Sequence, residues 1–302
     1  MVYDNMVKKV VFSANQDHVV IKKLINKLKK IKEFDLIFHD PTKDFFCLSD
    51  MPEQFKNADL IILKVRNECS IDLLHFAKFY NIPTLHDVDT VLNCKNKIAL
   101  DYGLRKALND HKKDVENILM PDSWNHSLSD VNKFKEWALP KLPIVIKSHN
   151  QHDKYNRFNF LVQKIEEVEK FCERYKEFLY YDVYVQKFIE CDGIERKIYV
   201  IGDKVFGIKR ENPIYKFLRE KLDYIDVSLI ERESFEITED IIKLSNILSA
   251  DLNLEIFGFD LIRPIDQNIY YLIDLNDFPS FKGIPHIENE LKDFILNYVI
   301  NL

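Results

Sequence analysis

The chain has 302 residues, of which 46% are hydrophobic and 30% charged, with 22 Phe and 14 Tyr. That much apolar surface excludes a disordered protein, and the length calls for two or three packed units rather than one small core. The net charge of -6 excludes sequence-independent nucleic-acid binding, which needs a basic surface to release counterions, so an anionic ligand must meet a local cationic cluster.

The six glycines make no G-x-G-x-x-G; Gly202 and Gly207 have the outer spacing of a phosphate loop, but Ile208-Lys209 follow where Lys and Ser/Thr are required. Dinucleotide fingerprints and Walker loops are thereby excluded. The five cysteines are odd in number and widely spaced, with no C-x-x-C, which fits reduced thiols and a cytoplasmic protein. The first residues, MVYDNMVKKVVF, lack a long apolar stretch and no run approaches the length of a membrane span, so neither export nor a membrane is expected.

In chain order, short apolar runs at 10–12, 34–38, 58–63 and 82–85 read as strands, with helical periodicity over 19–32 and 71–80. This alternation predicts a small parallel βα sheet. The lysines over 22–32 resemble a nucleic-acid patch in isolation, and a solvated outer helix face explains them better. A helix runs to about residue 108, with a unit boundary near 88–96. Residues 142–147 form a strand ending in Lys147, and 148–159 read as a polar loop carrying His149 and His152. From 181 onward longer strands alternate with tight turns, with one helix over 239–252, which predicts an antiparallel α+β region.

The strongest constellation is the hairpin of 256–262 and 269–276. With its turn centred on Gln267, antiparallel register sets Asp260 opposite Asp274, and Asn276 projects from the same face two residues on. Opposed carboxylates repel in an apolar hairpin unless a cation lies between them, and two carboxylates plus an amide oxygen suit Mg²⁺ bridging to nucleotide phosphates. The alternative is that Asp274 and Asn276 end a strand while Asp260 pairs with a lysine. A second hairpin, 195–201 and 204–210, turns on Gly202-Asp203 and sets Arg210 opposite Glu195, sharing a face with Lys197; this cationic pair is either a phosphate clamp or solvated. The run 184–190 is either a core strand or an extended linker whose backbone reads an adenine edge. No H-E-x-x-H, G-x-S-x-G, or H-R-D with D-F-G occurs, which removes zincins, serine hydrolases and protein kinases.

Taken in this order the segments resemble the ATP-grasp superfamily, in which two α+β lobes hold ATP between them. Residues 271–284, YLIDLNDFPSFKGI, are similar to the D-x-N-x-F-P-x-[YF]-x-G signature of the inositol 1,3,4-trisphosphate 5/6-kinase family, with F-G-F-D at 257–260 and V-Q-K-F-I at 185–189 upstream. The resemblance implies an α/β and α+β chain: a parallel βα domain at 1–92, a central lobe at 93–187 and a C-terminal lobe at 188–302. It implies ATP and two Mg²⁺ ions as cofactors, with Asp260, Asp274 and Asn276 as metal ligands. Lys97 and Lys147 would meet nucleotide phosphates and Gln186, Lys187, Phe188 and Ile189 would form the adenine hinge. His18, Lys64, His152, Arg157, Lys197, Arg210, Asn276 and Gly283 would hold an inositol phosphate, and Lys197, Arg210 and Asp260 would act in phosphoryl transfer.

The chain departs from the family pattern in three places. Lys147-Ser148 replaces K-P, the H-G-x-x-x-H loop is reduced to His152-Asp153 with Arg157 in place of the second histidine, and the N-terminal lysine is replaced near His18. The expected protein is a monomeric inositol phosphate kinase without nucleic-acid or membrane partners. Its nearest rival is an ATP-grasp carboxylate-amine ligase acting through an acyl phosphate. A nucleotide sensor that has lost turnover is a further rival, against which the intact acidic set speaks.

Overall fold

The computed structural model describes residues 7–149, 159–176, 182–220 and 226–302. Its N-terminal unit runs β1 (Lys8–Ser13), α1 (Val19–Leu28), β2 (Phe34–His39), α2 (Glu53–Lys56), β3 (Leu60–Leu63) and α3 (Glu68–Tyr80). The three strands form a parallel sheet in the order β2-β1-β3. Both faces are covered, so Val10, Phe12, Leu60 and Ile62 enter one core while Val11, Ile61 and Leu63 enter another. Helix α1 buries Ile21, Leu24, Ile25 and Leu28 and turns Lys22 and Lys23 outward, so the lysine run is a solvated face. It ends four residues earlier than the periodicity predicted. Residues 82–85 are not a strand: Thr84 makes one isolated parallel bridge to Ile61. The chain passes from β1 to β2 on one side and from β2 back to β3 on the other side of β1, so the crevice beyond the carboxyl ends of β1 and β3 is a topological switch point.

Then come α4 (Val88–Lys95), α5 (Lys97–Asp110), β4 (Ile118–Leu119), β5 (Ser123–Ser127), α6 (Val131–Ala138), β6 (Ile144–Lys147), β7 (Asn159–Val162), α7 (Glu167–Arg174) and β8 (Asp182–Lys187). An antiparallel sheet in the order β5-β8-β6-β7 encloses its own core with α6 and α7, built on Phe134, Ile144, Ile146, Phe171 and Val185.

The remainder is β9 (Ile194–Ile201), β10 (Lys204–Glu211), α8 (Pro213–Glu220), β11 (Glu233–Ser234), α9 (Glu239–Leu252), β12 (Ile256–Ile262), β13 (Tyr270–Asp277) and α10 (Ile287–Ile300). A six-stranded sheet runs β11-β10-β9-β12-β13-β4, antiparallel except at β13 and β4. The β9–β10 turn is Gly202-Asp203, with Gly202 at φ +56°. On one face of this sheet Leu100 and Leu104 of α5 pack with Leu244 and Leu248 of α9 against Phe257 and Phe259. On the other face one core joins the N-terminal unit to the C-terminal strands and α10, running from Phe12 and Leu24 through Ile201 and Phe278 to Leu291 and Ile295. All five cysteines are free. Among the described residues no helix is long and apolar enough to cross a membrane.

Candidate active site

The β12–β13 pairing sets Asp260 opposite Asp274, as the sequence register predicts, and Gly258 opposite Asn276. A bulge follows Asp260. Asp260, Asp274 and Asn276 all line one cavity of about 590 Å³, together with Lys147, Glu195, Lys197 and Arg210. Lys197 donates to Asp260 and lies 3.7 Å from Glu195, and Arg210 Nε donates to Glu195 Oε2 at 2.5 Å. Asp260 thus has a lysine partner and opposes a second carboxylate. Across the hairpin Lys97 Nζ donates to Asp274 Oδ1 at 2.5 Å.

Burial pushes the Asp260 carboxyl up to about 6, the Lys197 ammonium opposing and the Glu195 and Asp274 carboxylates reinforcing the rise. For Lys197 burial acts downward, and Asp260 with Glu195 outweighs it, holding the ammonium above its usual range. Three hard oxygen donors on adjacent strands fit Mg²⁺, which takes one or two carboxylates and completes its octahedron with water and substrate phosphates. No group of three or more His, Cys, Asp or Glu side chains is arranged for a metal among the described residues.

On the central sheet Lys147 ends β6, is 8% exposed, and donates to Gln186 Oε1 at 2.7 Å and to the Ile273 carbonyl of β13 at 3.2 Å. It therefore spans the two sheets. Gln186 Nε2 donates to the Tyr184 hydroxyl at 3.1 Å, which donates to Asp101 at 2.7 Å. The Lys187 and Phe188 N–H groups donate to the carbonyls of Asp122 and Pro143 at 2.7 and 3.1 Å, and Lys187 Nζ donates to those of Lys141 and Leu142. Those two backbone donors of the expected hinge are already engaged. Ile189 follows the end of β8.

A second cavity, of about 640 Å³, opens onto the first through shared residues that include Lys64, Lys197, Tyr199 and Arg210. Its N-terminal wall carries Asn15, Asp17, His18, Lys64 and Arg66 from the carboxyl ends of β1 and β3. Lys64 Nζ donates to the carbonyls of Phe278 and Pro279, and burial lowers it to about 8. His18 caps α1, its Nδ1 accepting from the Ile21 N–H at 3.4 Å; burial, with Lys64 and Lys282 nearby, lowers it to about 4. Gly283 sits at φ +99°, and a Cβ there would lie 2.9 Å from Arg232 Cδ. His152 and Arg157 lie outside the described residues.

Sequence reasoning missed Glu195, Tyr199, Arg66, Arg232 and Lys282 in these cavity walls. Glu195 and Tyr199 flank Lys197 at a spacing of two, so strand periodicity carried their signal. Lys282 lies within the quoted signature. Arg66 and Arg232 carry none.

With this geometry in hand, comparison with known proteins is informative. The profile described as inositol 1,3,4-trisphosphate 5/6-kinase ATP-grasp domain matches residues 129–297, more than half of the chain. The chain belongs to this family. Among curated relatives, inositol-tetrakisphosphate 1-kinase 1 of Arabidopsis thaliana is 26% identical over 328 residues of alignment, covering 95% of this chain and 93% of the relative. Inositol-tetrakisphosphate 1-kinase 1 of Oryza sativa is 28% identical over 138 residues, a match that covers 39% of this chain and only 38% of the rice protein. Similar solved structures include a RimK domain ATP-grasp protein from Sphaerobacter thermophilus, at TM-score 0.69 and 14% identity, covering 96% of this chain and 99% of that one. D-alanyl-alanine synthetase A from Vibrio cholerae reaches TM-score 0.69 at 15% identity, covering 98% of each chain. At that identity these structures establish the ATP-grasp fold alone.

Proposed function

We propose that the protein is an ATP- and Mg²⁺-dependent kinase that transfers the γ-phosphoryl group of ATP to a hydroxyl of an inositol phosphate. One observation carries this reading: two confluent cavities place an oxygen-donor set, Asp260, Asp274 and Asn276, beside a cationic wall built from two units of the chain. Family membership and the alignment along nearly the whole Arabidopsis relative support it.

In this reading Asp260, Asp274 and Asn276 hold two Mg²⁺ ions, which when bound neutralise charge on the phosphates. Lys97 and Lys147 position the nucleotide phosphates, and residues 186–189 hold the base through groups other than the engaged Lys187 and Phe188 N–H donors. Lys197 and Arg210 orient the acceptor, with Lys64, His18 and the turn at Gly283 closing its far wall. Asp260 holds Lys197 toward the acceptor, so the same carboxylate orders both halves of the site. Catalysis then rests on positioning and electrostatics, with no covalent intermediate. The division into units at 1–92, 93–187 and 188–302, and a monomeric cytoplasmic protein, belong to the same proposal, although α5 and β4 of the second unit pack on the sheet of the third.

The test is ATP consumption with Mg²⁺ against a panel of inositol phosphates and, in parallel, amino acids with glutamate-tailed peptides, the products resolved by mass. An inositol phosphate heavier by one phosphate supports the kinase. ADP release only when a carboxylate and an amine are both present overturns it in favour of the ligase.

A further inference from the structure

The acceptor cavity is charged against the trend of the chain. Six of its lining residues are cations, Lys64, Arg66, Lys197, Arg210, Arg232 and Lys282, and one is an acid, Asp17, in a protein of net charge -6. Four of the cations are committed. Lys197 and Arg210 face Asp260 and Glu195, Lys64 holds two backbone carbonyls, and Arg232 donates to the carbonyls of Ile230 and Val227. Arg66 and Lys282 have no acid partner among the described residues.

These two come from opposite walls and are tethered by one contact. Arg66 lies two residues beyond Lys64, at the switch-point end of β3, and Lys282 lies three beyond Pro279. The Lys64 ammonium on the Phe278 and Pro279 carbonyls pins those two segments together, so both cations meet the same cavity. His18, which lines the same cavity, is held neutral by burial and by Lys64 and Lys282, and so adds no further positive charge. Uncompensated cations around one concavity repel each other, and a phosphate relieves that repulsion through a guanidinium fork and an ammonium.

We infer that Arg66 and Lys282 form a distal anion subsite, which holds a phosphate group of the acceptor remote from the hydroxyl that is phosphorylated. This rests on the kinase reading and assigns one acceptor phosphate to the Lys197 and Arg210 side and another to this wall.

The test is calorimetric binding of inositol hexakisphosphate, which has no free hydroxyl and cannot turn over, to the full chain and to the Arg66→Ala/Lys282→Ala double variant, with ATP binding in parallel. The expected result is hexakisphosphate binding weakened about tenfold or more, ATP binding changed less than about twofold, and recovery in Arg66→Lys/Lys282→Arg. Hexakisphosphate affinity within about twofold of wild type in the double alanine variant, or equal loss for both ligands, overturns the subsite. Failure of the kinase reading is read elsewhere: no phosphate transferred to any inositol phosphate removes that function, while a tenfold hexakisphosphate loss still locates the anion site.

Discussion

Asp274 has two tasks, and they fix how it must be tested. Its carboxylate is a proposed metal ligand and also an acceptor for Lys97, a buried ammonium. Removing a partner from a buried ion pair costs about 3 kcal/mol or more, so Asp274→Ala mixes lost catalysis with lost stability. Asp274→Asn keeps an oxygen for Lys97. It still leaves the Lys97 charge uncompensated, so it is expected to lower kcat on the order of 100-fold with its melting temperature between those of Asp274→Ala and wild type; unchanged kcat removes the metal assignment. For Lys197→Ala, KM for the inositol phosphate is expected to rise about tenfold or more, the ATP KM moving little; equal effects on both would place Lys197 on the nucleotide side. His86 offers a pH test away from the chemistry. It is buried, and its Nε2 accepts from the Glu255 and Ile256 N–H groups at 3.0 and 3.2 Å. Burial lowers it to about 4, with Asp277 and Asp87 opposing. The unfolded chain therefore binds a proton between about pH 6.5 and 4 that the native one refuses, and stability falls as pH drops through that window. The expected loss is about 2 kcal/mol between pH 7 and 5 in denaturant titrations, and it should shrink in His86→Gln. At this scale the facing of Asp260 and Asp274, with Asn276 in the same cavity, was legible because a two-residue period and a hairpin register are rigid geometric rules. The long-range partners of Lys64 and Lys97 lie 214 and 177 residues away, where no local pattern reaches.

The two hairpins show which elements a sequence can place. The apolar runs and the turns between them placed both hairpins, and the observed registers, Arg210 opposite Glu195 and Asp260 opposite Asp274, follow from the turn positions. The segment 82–85 failed for a physical reason: Pro83 has no N–H, so its pairing with β3 shrinks to Ile61 donating to the Pro83 carbonyl and Leu85 donating back. The α1 pattern overran because Ile31 packs against the same core from beyond the helix, imitating another turn. The turn before α10 carries the sharpest backbone demand. Gly283 has a φ of +99° and lies against Arg232, so Gly283→Ala is expected to cost about 1–3 kcal/mol in unfolding free energy and to weaken acceptor binding by displacing Arg232. A variant as stable as wild type would show that this turn relaxes freely.

Across the whole molecule the packing cuts differently from the composition. Sequence periodicity shows that α1 and β1 have an apolar face and cannot show what covers it. Here the cover is α10 and the C-terminal strands, so the first unit and the last share one core. An isolated 1–92 fragment keeps the core around Val11, Ile61 and Leu74 but loses the C-terminal cover over Phe12, Leu24 and Leu60, and is expected to unfold at much lower denaturant than the full chain; a fragment as resistant as the full chain would show that the shared core adds no stability. The central sheet encloses a core of its own, and the N-terminal sheet has one on its other face. That partition has a kinetic consequence. The Lys64 tether and the shared core make both sides of the acceptor cavity parts of one solid body, already assembled before any nucleotide arrives. ATP, by contrast, has to be gripped between that body and the central sheet, across which Lys147 reaches to β13. In the proposed reading the acceptor can then bind free protein as well as the ATP complex, which direct binding of the acceptor in the absence of nucleotide checks.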